Sequence, residues 1–405
     1  MILFNKKFRL AKQIGGNMRS RLWNFAPVAF AGISIVVSAP ALADDIKLPP
    51  TMAVTAYDTG TAGFNIAVGV GKMMKDKYST DVRVLPAGND VARLAPLRAK
   101  RAIMSAMGSG TYFAQEGVFE FGVKEWGPQA LQVLLSSVDC NAGALGVAAD
   151  AGVKELKDLK GKRIGFVVGS PALNQNAFAI LAFANLTAKD VRLVEFSSFG
   201  AMWKGMINNE VDAAVASTIT GQVRELETSP RGVVMPPTPA SDTAGWARLQ
   251  KIGPYYYPHK TTCGAGGLSP TNTIDLPAYP YPIFVAYASQ AGDMVYSMTK
   301  SMIVDYAQYR DSAPGADGLE VKRQILKWVL PYHEGAVKAL KQAGVWTDEA
   351  QKHNDMLVKR QDTLVAAWAA FNKPDAPAEK DAFAKGWMAA RKAALEKASL
   401  PPVFE

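Results

Sequence analysis

Two stretches of this chain, "DVRVLPAGNDVARLAPLRAKRAIMSAMGSGT" at residues 81–111 and "DVRLVEFSSFGAMWKGMINNEVDAAVASTIT" at 190–220, decide the fold. Each has the apolar periodicity of a strand, a helix and a second strand. They align at an offset near 109, which sets Ser109 and Thr111 opposite Thr218 and Thr220. Any two α/β segments give a weak match, but the coinciding hydroxyls favour an internal repeat.

The repeat extends toward the N-terminus in both copies. A strand "TMAVTAY", a turn "DTGTAG" and a helix "FNIAVGVGKMMKDKY" precede the first stretch, and "RIGFVV", "GSPALNQN" and "AFAILAFANL" precede the second. Strands that alternate with helices indicate a covered parallel sheet. The sequence therefore predicts an α/β protein with two parallel-sheet lobes, whose ligand lies where the loops at the carboxyl ends of the strands converge.

The glycine-rich and hydroxyl-rich loops of both copies are candidate ligand contacts. Hydroxyls and unpaired backbone N–H groups at helix starts suit carboxylate or polar oxygens. The alternative for Thr61, Ser170 and Asn89 is that each caps its own helix, and the two roles are compatible. Aromatic residues near these loops, namely Tyr57, Phe64 and Tyr112, are expected against the apolar part of a ligand or in the core. Arg93 is the arginine nearest the glycine-rich loop "MGSGTYFAQEG" at residues 107–117 and is a weaker candidate to bind a carboxylate.

Several catalytic and cofactor motifs are absent from the sequence. "GSGTYFAQEG" lacks the lysine of a phosphate-binding GxxxxGK[ST] loop, "GVGKMM" lacks the third glycine of GxGxxG, and no GxSxG occurs. Of the three histidines, His259 is expected in a surface loop, His333 lacks the second histidine of HExxH, and His353 is expected on a solvated helix face. Asp58 and Asp90, the carboxylates nearest the loops, are expected to be solvated. We predict no enzymatic activity, no cofactor and no metal.

Residues 1–43 are typical of a secretory signal peptide. Six basic residues precede an uncharged stretch from Phe25 to Ala43, which ends in the A-x-A pattern "ALA" before Asp44. The leader has ordinary length if translation starts at Met18 instead of Met1. An uncleaved anchor helix is the alternative, and the prolines and cleavage pattern disfavour it. We expect cleavage after Ala43 and export to the periplasm.

The charge balance of the mature chain excludes one class of partner. Six of the 45 Lys and Arg lie in residues 1–43, which contain no acid, so cleavage leaves 39 basic against 36 acidic side chains. The body contains no basic block, so no nucleic-acid partner is predicted. About 360 residues favour two domains over one.

Six motifs together resemble the TAXI-type (TRAP-associated extracytoplasmic immunogenic) solute receptors of TRAP transporters. The resemblance covers about residues 50–346. It rests on "TAYDTGTAGFNIAVGVGKMM", "VRVLPAGNDVARLAPLRAKRAIMSAMGSGTYFAQEG", "GKRIGFVVGSPALN", "FGAMWKGMINNEVDAAVAS", "DMVYSMTKSM" and "PYHEGAVKALKQAGVW".

The resemblance implies a periplasmic-binding-protein type II fold that closes about a hinge on a small organic acid or amino acid. It implies delivery of that ligand to a gradient-driven TRAP-type membrane permease. By position, the ligand loops of the family correspond here to Tyr57, Gly60, Thr61, Phe64, Asn89, Ser109, Gly110, Thr111, Tyr112, Ser170, Asn174 and Thr218.

The domains that the resemblance implies give the two cysteines a defined place in the fold. Domain I would comprise residues 44–139 and 264–405 with the C-terminal helices, and domain II residues 140–263. Cys140 and Cys263 then lie at both crossings between lobes, and we predict a disulfide; two unrelated buried thiols are the alternative.

The sequence departs from the family pattern in two places. Residues 232–275, rich in Pro, Gly and Tyr, form a larger insertion than expected and are candidates to cap the cleft or to contact the permease. An Ala- and Lys-rich helical tail follows Trp346. Two other functions stay open: a periplasmic sensory ligand-binding module, and, with less support, an enzyme on the same fold.

Overall fold

The computed structural model describes residues 46–404. The predicted signal peptide at 1–43 and both candidate start codons lie outside the described residues. Within the described part of the chain, no helix is long and apolar enough to cross a membrane.

Among residues 46–404 the first sheet has five strands in the order β2-β1-β3-β12-β4. These are β1 (Thr51–Tyr57), β2 (Asp81–Ala87), β3 (Met104–Met107), β4 (Leu131–Ser136) and β12 (Ile283–Tyr287). The first three are parallel, as the sequence predicts, and β12 is antiparallel to both β3 and β4. The helices of this lobe are α1 (Ala62–Tyr78), α2 (Asp90–Arg98), α3 (Gly110–Glu116), α8 (Gly292–Val304) and α9 (Glu334–Gln342).

The second sheet repeats this arrangement in the order β7-β6-β8-β5-β9. Its strands are β5 (Gly143–Ala148), β6 (Arg163–Val167), β7 (Arg192–Phe196), β8 (Ala213–Ser217) and β9 (Val233–Val234). Its helices are α4 (Pro171–Phe183), α5 (Phe199–Ile207), α6 (Gly221–Thr228) and α7 (Thr243–Ile252). Again β6, β7 and β8 are parallel, and β5 is antiparallel to β8. The predicted two-lobed α/β fold is confirmed, with one antiparallel strand inserted in each otherwise parallel core.

Local sequence explains where the principal helices begin. The Thr61 hydroxyl accepts the Phe64 N–H at the start of α1, and Pro171 occupies the first turn of α4, where its missing N–H costs nothing. The apolar face of α5 then buries Met202 and Trp203 against β6 and β8, which fixes that helix on the second sheet.

The chain passes twice between the two sheets, and the two passages lie side by side. Residues 137–142 lead from β4 to β5; the return follows a hairpin of β10 (Tyr257–Thr261) and β11 (Ile274–Ala278) and runs through residues 279–282 to β12. The Tyr281 N–H donates to the Ser137 carbonyl at 2.8 Å, and the Ser137 N–H donates to the Pro282 carbonyl at 2.8 Å. We refer to these paired segments as the hinge.

A disulfide joins Cys140 and Cys263 next to the hinge, with their Cα atoms 5.5 Å apart. The strand that follows Cys263, β11, pairs with β10 and not with the first sheet. The predicted boundary at 263/264 thus precedes the return passage, and the predicted domain limits stay a proposal.

The C-terminal tail is formed by α10 (Asp348–Phe371) and α11 (Lys380–Lys397), and it packs against the end of α3. Glu116, fully buried, pairs with Arg360 through two 2.7 Å contacts and also with Arg391. The Trp387 indole donates to the Gly117 carbonyl at 2.6 Å. The tail is therefore part of the first lobe.

Candidate functional site

A cavity lies between the carboxyl ends of the two sheets, with an empty volume of about 560 Å³ that includes space open to solvent. Tyr57, Thr61 and Gly108 line it from the first lobe, and the hinge segments add Asn141, Tyr279 and Tyr281. From the second lobe it is lined chiefly by Leu173, Asn176, Phe199, Ser217 and Thr220. Among the described residues, every side chain that lines this cavity is uncharged, so polar recognition here rests on hydroxyls, amides and backbone groups.

Backbone hydrogen bonds join the two lobes around this cavity. The Val91 N–H donates to the Gly169 carbonyl at 3.1 Å, and the Phe199 N–H donates to the Gly88 carbonyl at 2.9 Å. The Gly60 carbonyl, set by a φ of +86°, accepts from Gly221 at 3.2 Å. The two lobes are therefore in direct contact around the cleft, and the helix starts of both lobes gather there.

Asp90 is fully buried, and the expectation that it is solvated is wrong. Its Oδ1 accepts from the Tyr57 hydroxyl at 2.6 Å and from Arg93 at 2.5 Å, and its Oδ2 accepts from the Ala172 N–H at 2.8 Å. The Ser170 hydroxyl lies 3.2 Å from Oδ2 and 2.8 Å from the Tyr57 oxygen. A buried carboxylate needs hydrogen-bond donors because it has lost its contacts with water, and here the donors come from both lobes.

Asp58 also contacts the opposite lobe. It is half-buried, and its Oδ2 accepts from the Gly200 N–H at 2.8 Å, at the start of α5. Both carboxylates near the loops thus hold the lobes together.

Arg93 lies beneath the cleft and does not line the cavity. It is fully buried, and its guanidinium carbon lies 3.6 Å from the centre of the Tyr57 ring. It also donates to the Ala106 carbonyl at 3.1 Å. Burial, followed by the Asp90 charge, raises the pKa of Tyr57 well above its usual value, so Tyr57 stays protonated and donates to Asp90.

The glycine-rich loop at residues 107–117 contributes to the site mainly through Ser109. This residue is fully buried, and its hydroxyl donates to the Asn176 amide oxygen at 3.2 Å across the cleft. A Cβ on Gly110 would lie 2.7 Å from the Asp90 carboxyl carbon, so the loop needs glycine there. The Thr111 hydroxyl donates to the Gly108 carbonyl at 2.8 Å and stabilises the turn.

The other predicted ligand residues are engaged within their own lobes. Asn89 caps α2 by accepting the Ala92 N–H at 2.8 Å, Asn174 exchanges two hydrogen bonds with the Val167 backbone, and Thr218 donates to the Cys263 carbonyl at 2.9 Å. Tyr112 packs in an aromatic cluster with Phe404, with ring centres 5.4 Å apart, and Phe64 packs against the core. Of the predicted set, Tyr57 and Thr61 line the cavity directly.

Several residues that line the cavity are not among those predicted from the sequence. Asn141, Tyr279 and Tyr281 come from the hinge segments, which carry no repeat signal. Asn176 ends the segment "GSPALNQN", which the sequence predicts as a turn but which belongs to α4 from Pro171 onward. Its amide oxygen accepts from the Ser109 hydroxyl and, at 2.6 Å, from the Tyr255 hydroxyl. Ser217 and Thr220 flank the predicted Thr218, so the repeat located the correct loop.

The insertion at 232–275 packs on the second lobe. Arg248 of α7 donates to the carbonyls of Ala182 and Phe183 at 3.0 and 2.6 Å. Tyr255 extends from it to Asn176 at the edge of the cavity. Its predicted roles in capping the cleft or contacting a permease stay predictions.

The histidines lie away from the cavity. His259 is on strand β10, not in a surface loop, and is half-buried. His333 is buried and caps α9 by accepting the Gly335 N–H at 3.2 Å; burial lowers its pKa. The His353 Nε2 lies 2.6 Å from the Trp328 carbonyl, so this side chain also has a structural contact.

Comparison with protein families gives a match to the NMT1-like family over residues 54–344. The chain belongs to the NMT1-like family. The match includes both sheets and ends before α10, so the tail lies beyond the part shared with the NMT1-like family.

Solved structures similar to this chain include two proteins with solutes bound. One is the alkanesulfonate-binding protein from Xanthomonas axonopodis pv. citri bound to MOPS: 16% identity, covering 88% of this chain and 96% of that one, TM-score 0.42. Another is an ancestral arginine-binding protein bound to arginine: 13% identity, covering 66% and 97%, TM-score 0.41. Among curated proteins, none matches the chain.

Proposed function

We propose that this protein is a solute receptor that closes its two lobes on a small organic acid or amino acid. The observation that carries the proposal is the cavity itself, which is lined by both lobes and by the hinge. A ligand that contacts both lobes in the closed form, and one lobe in an open form, shifts the equilibrium toward closure.

The lining suits a ligand carboxylate held without a cation. Thr61 and Thr220 stand at the starts of α1 and α6, and the Thr220 hydroxyl makes no capping hydrogen bond with its own helix. Helix starts carry partial positive charge and unpaired N–H groups, which stabilise an anion. Leu173 and Phe199 offer apolar contact to the remainder of the ligand.

We further propose that the receptor is of the TAXI type, is exported, and delivers its ligand to a TRAP-type permease. The support is the set of motifs over about residues 50–346, which coincides with the family match at 54–344. An enzyme is a weaker alternative because the two carboxylates near the cleft already serve as structural acceptors. Asp90 accepts hydrogen bonds from Tyr57 and Ala172, and Asp58 accepts one from Gly200. A sensory module with the same cleft is the other alternative.

Native mass spectrometry of the protein from Asp44 onward, followed by release and identification of bound small molecules, tests the receptor function. We expect one bound organic acid or amino acid per chain. An empty cleft, together with no thermal shift across a panel of carboxylates and amino acids, would contradict the proposal.

A pair of variants in α6 tests the site. Thr220→Val removes a hydroxyl from the cavity. It should weaken binding of the ligand identified by mass spectrometry about 10-fold or more, as expected for the loss of one hydrogen bond to a charged group. Thr228→Val changes an exposed hydroxyl at the other end of the same helix and should leave binding unchanged. Equal effects of the two variants would place the ligand elsewhere.

A further inference from the structure

A chain of three polar side chains runs from the hinge to the cavity. The Asp139 Oδ1 accepts from the Asn141 backbone N–H at 3.1 Å and from the Asn141 side-chain amide. The Asn141 Oδ1 in turn accepts from the Ser217 hydroxyl at 2.7 Å. Asn141 and Ser217 line the cavity, whereas Asp139 lies behind them, beside the disulfide.

The direction of each hydrogen bond in this chain follows from the charge of Asp139. An ionised carboxylate only accepts, so the Asn141 amide nitrogen must face it and the amide oxygen must face Ser217. Ser217 then donates its single proton to Asn141 and presents only lone pairs to the cavity. The floor of the cavity is thereby fixed as a hydrogen-bond acceptor.

We propose that Asp139 is a positioning residue that, through Asn141, makes Ser217 an acceptor and so selects solutes with an N–H or O–H donor at that point. This inference rests on the proposed function and narrows its ligand class. With a carboxylate at the helix starts and a donor at Ser217, the ligand is an amino acid or a hydroxy acid, and not a plain carboxylic acid.

The selection depends on pH because the carboxylate titrates. Burial raises the pKa of Asp139 to about 6, and no described residue bonds its Oδ2. The Asp317 charge contributes to this rise in pKa, and the bonds from Asn141 and the Arg323 charge oppose it. Tyr257 and the half-buried His259, both on β10, are the other titratable groups near this part of the hinge. Once protonated, Asp139 can donate, the Asn141 amide can turn over, and Ser217 is released to donate. The preference for a donor-bearing solute is thus present above about pH 6 and lost below it.

Isothermal titration calorimetry with two matched probe pairs tests this selection: L-leucine against 4-methylpentanoate, and L-glutamate against glutarate. The members of each pair differ in the ammonium group. In the wild type at about pH 8, we expect the amino member of a binding pair to bind about 10-fold tighter or better, the effect of one hydrogen bond to a charged group. At about pH 5 that preference should shrink to about 3-fold or less.

Variants separate positioning from a general structural role. Ser217→Ala should abolish the preference at every pH, and Asp139→Asn should remove its pH dependence. Asp311→Asn alters an exposed carboxylate paired with Arg310 and should behave as the wild type. A wild type that binds the member without the ammonium equally well, or an unchanged pH profile in Asp139→Asn, would overturn the proposal.

A measurement without ligand distinguishes failure of this inference from failure of the proposed function. The side-chain amide signals of Asn141, assigned by their loss in Asn141→Asp, should shift in the wild type with a midpoint near pH 6 and should not titrate in Asp139→Asn. If the signals titrate as expected and none of the four probes binds, the positioning chain is supported and the proposed ligand class is wrong. Signals that do not change with pH overturn the inference, whatever binds.

Discussion

The two copies of the repeat share a strand order but use equivalent positions differently. Asn89 and Ser198, 109 residues apart, both cap the second helix of their copy, accepting N–H groups at 2.8 and 3.1 Å. Thr61 and Ser170 are also 109 apart, yet only Thr61 caps its own helix. Both positions hold a residue type that favours helix capping, but the side chain forms the cap in the first copy only.

The difference arises from a carboxylate that belongs to the other lobe. Asp90 of the first copy accepts the Ala172 N–H in the first turn of α4, so the second copy's helix is capped across the cleft. The equivalent of Asp90 in the second copy is Phe199, an apolar residue whose ring lies 5.9 Å from the Tyr57 ring. Contact between the lobes therefore completes the cap of a helix in the second copy, and the first copy has no equivalent arrangement.

Removal of the disulfide should produce the largest loss of stability and should affect the copies unequally. The bond closes a segment with a sequence separation of 123. Chain-entropy theory gives about 5 kcal/mol for a loop of this length. We expect Cys140→Ser/Cys263→Ser to lower the free energy of unfolding by an amount of that order, measured by urea titration, with hydrogen exchange rising mainly in β5–β8. Equal increases in hydrogen exchange in both sheets would contradict the prediction that the disulfide restrains the second sheet more than the first.

Glu116 and Glu225 offer a matched test of the tail. They occupy equivalent positions in the two copies, but Glu116 is buried between Arg360 and Arg391, whereas Glu225 is exposed. Glu116→Gln leaves two buried arginines without a counter-charge and should cost about 3–5 kcal/mol. Glu225→Gln should change the free energy of unfolding by less than about 0.5 kcal/mol. Similar values for the two variants would show that the tail adds little to the first lobe.

The two caps that the copies share, at Asn89 and Ser198, should give the smallest and most nearly equal losses of stability. Asn89→Ala and Ser198→Ala each remove one capping hydrogen bond, and each should cost about 1 kcal/mol in thermal or urea unfolding. Thr228→Ala, on the exposed end of α6, serves as the control. A loss well above about 2 kcal/mol at Asn89 alone would mean that Asn89 has a further role across the cleft, where a Cβ on Gly169 would lie 3.2 Å from its amide.

Local periodicity was sufficient to predict the parallel cores of both lobes and the loops at their carboxyl ends. The predicted strand at 51–57 and the second-copy strand at 163–168 agree with β1 and β6 to within one residue. The prediction failed where a side chain's environment is supplied by a distant segment. Asp90 follows a helix cap and resembles an exposed acid in its own copy, because Ser170 and Ala172, which contact its Oδ2, belong to the second copy.

The sequence by itself determined the repeated α/β units, the helix starts and the loops that face one another, because these depend on apolar spacing and on capping residues within one copy. Only the tertiary structure decided which loop residues reach the cavity. Asn141, Tyr279 and Tyr281 enter it from the two hinge passages, and Ser217 is oriented by an aspartate at the hinge. The reason is physical: a binding cleft between lobes is built from contacts between segments far apart in the chain, and no local pattern encodes the partner.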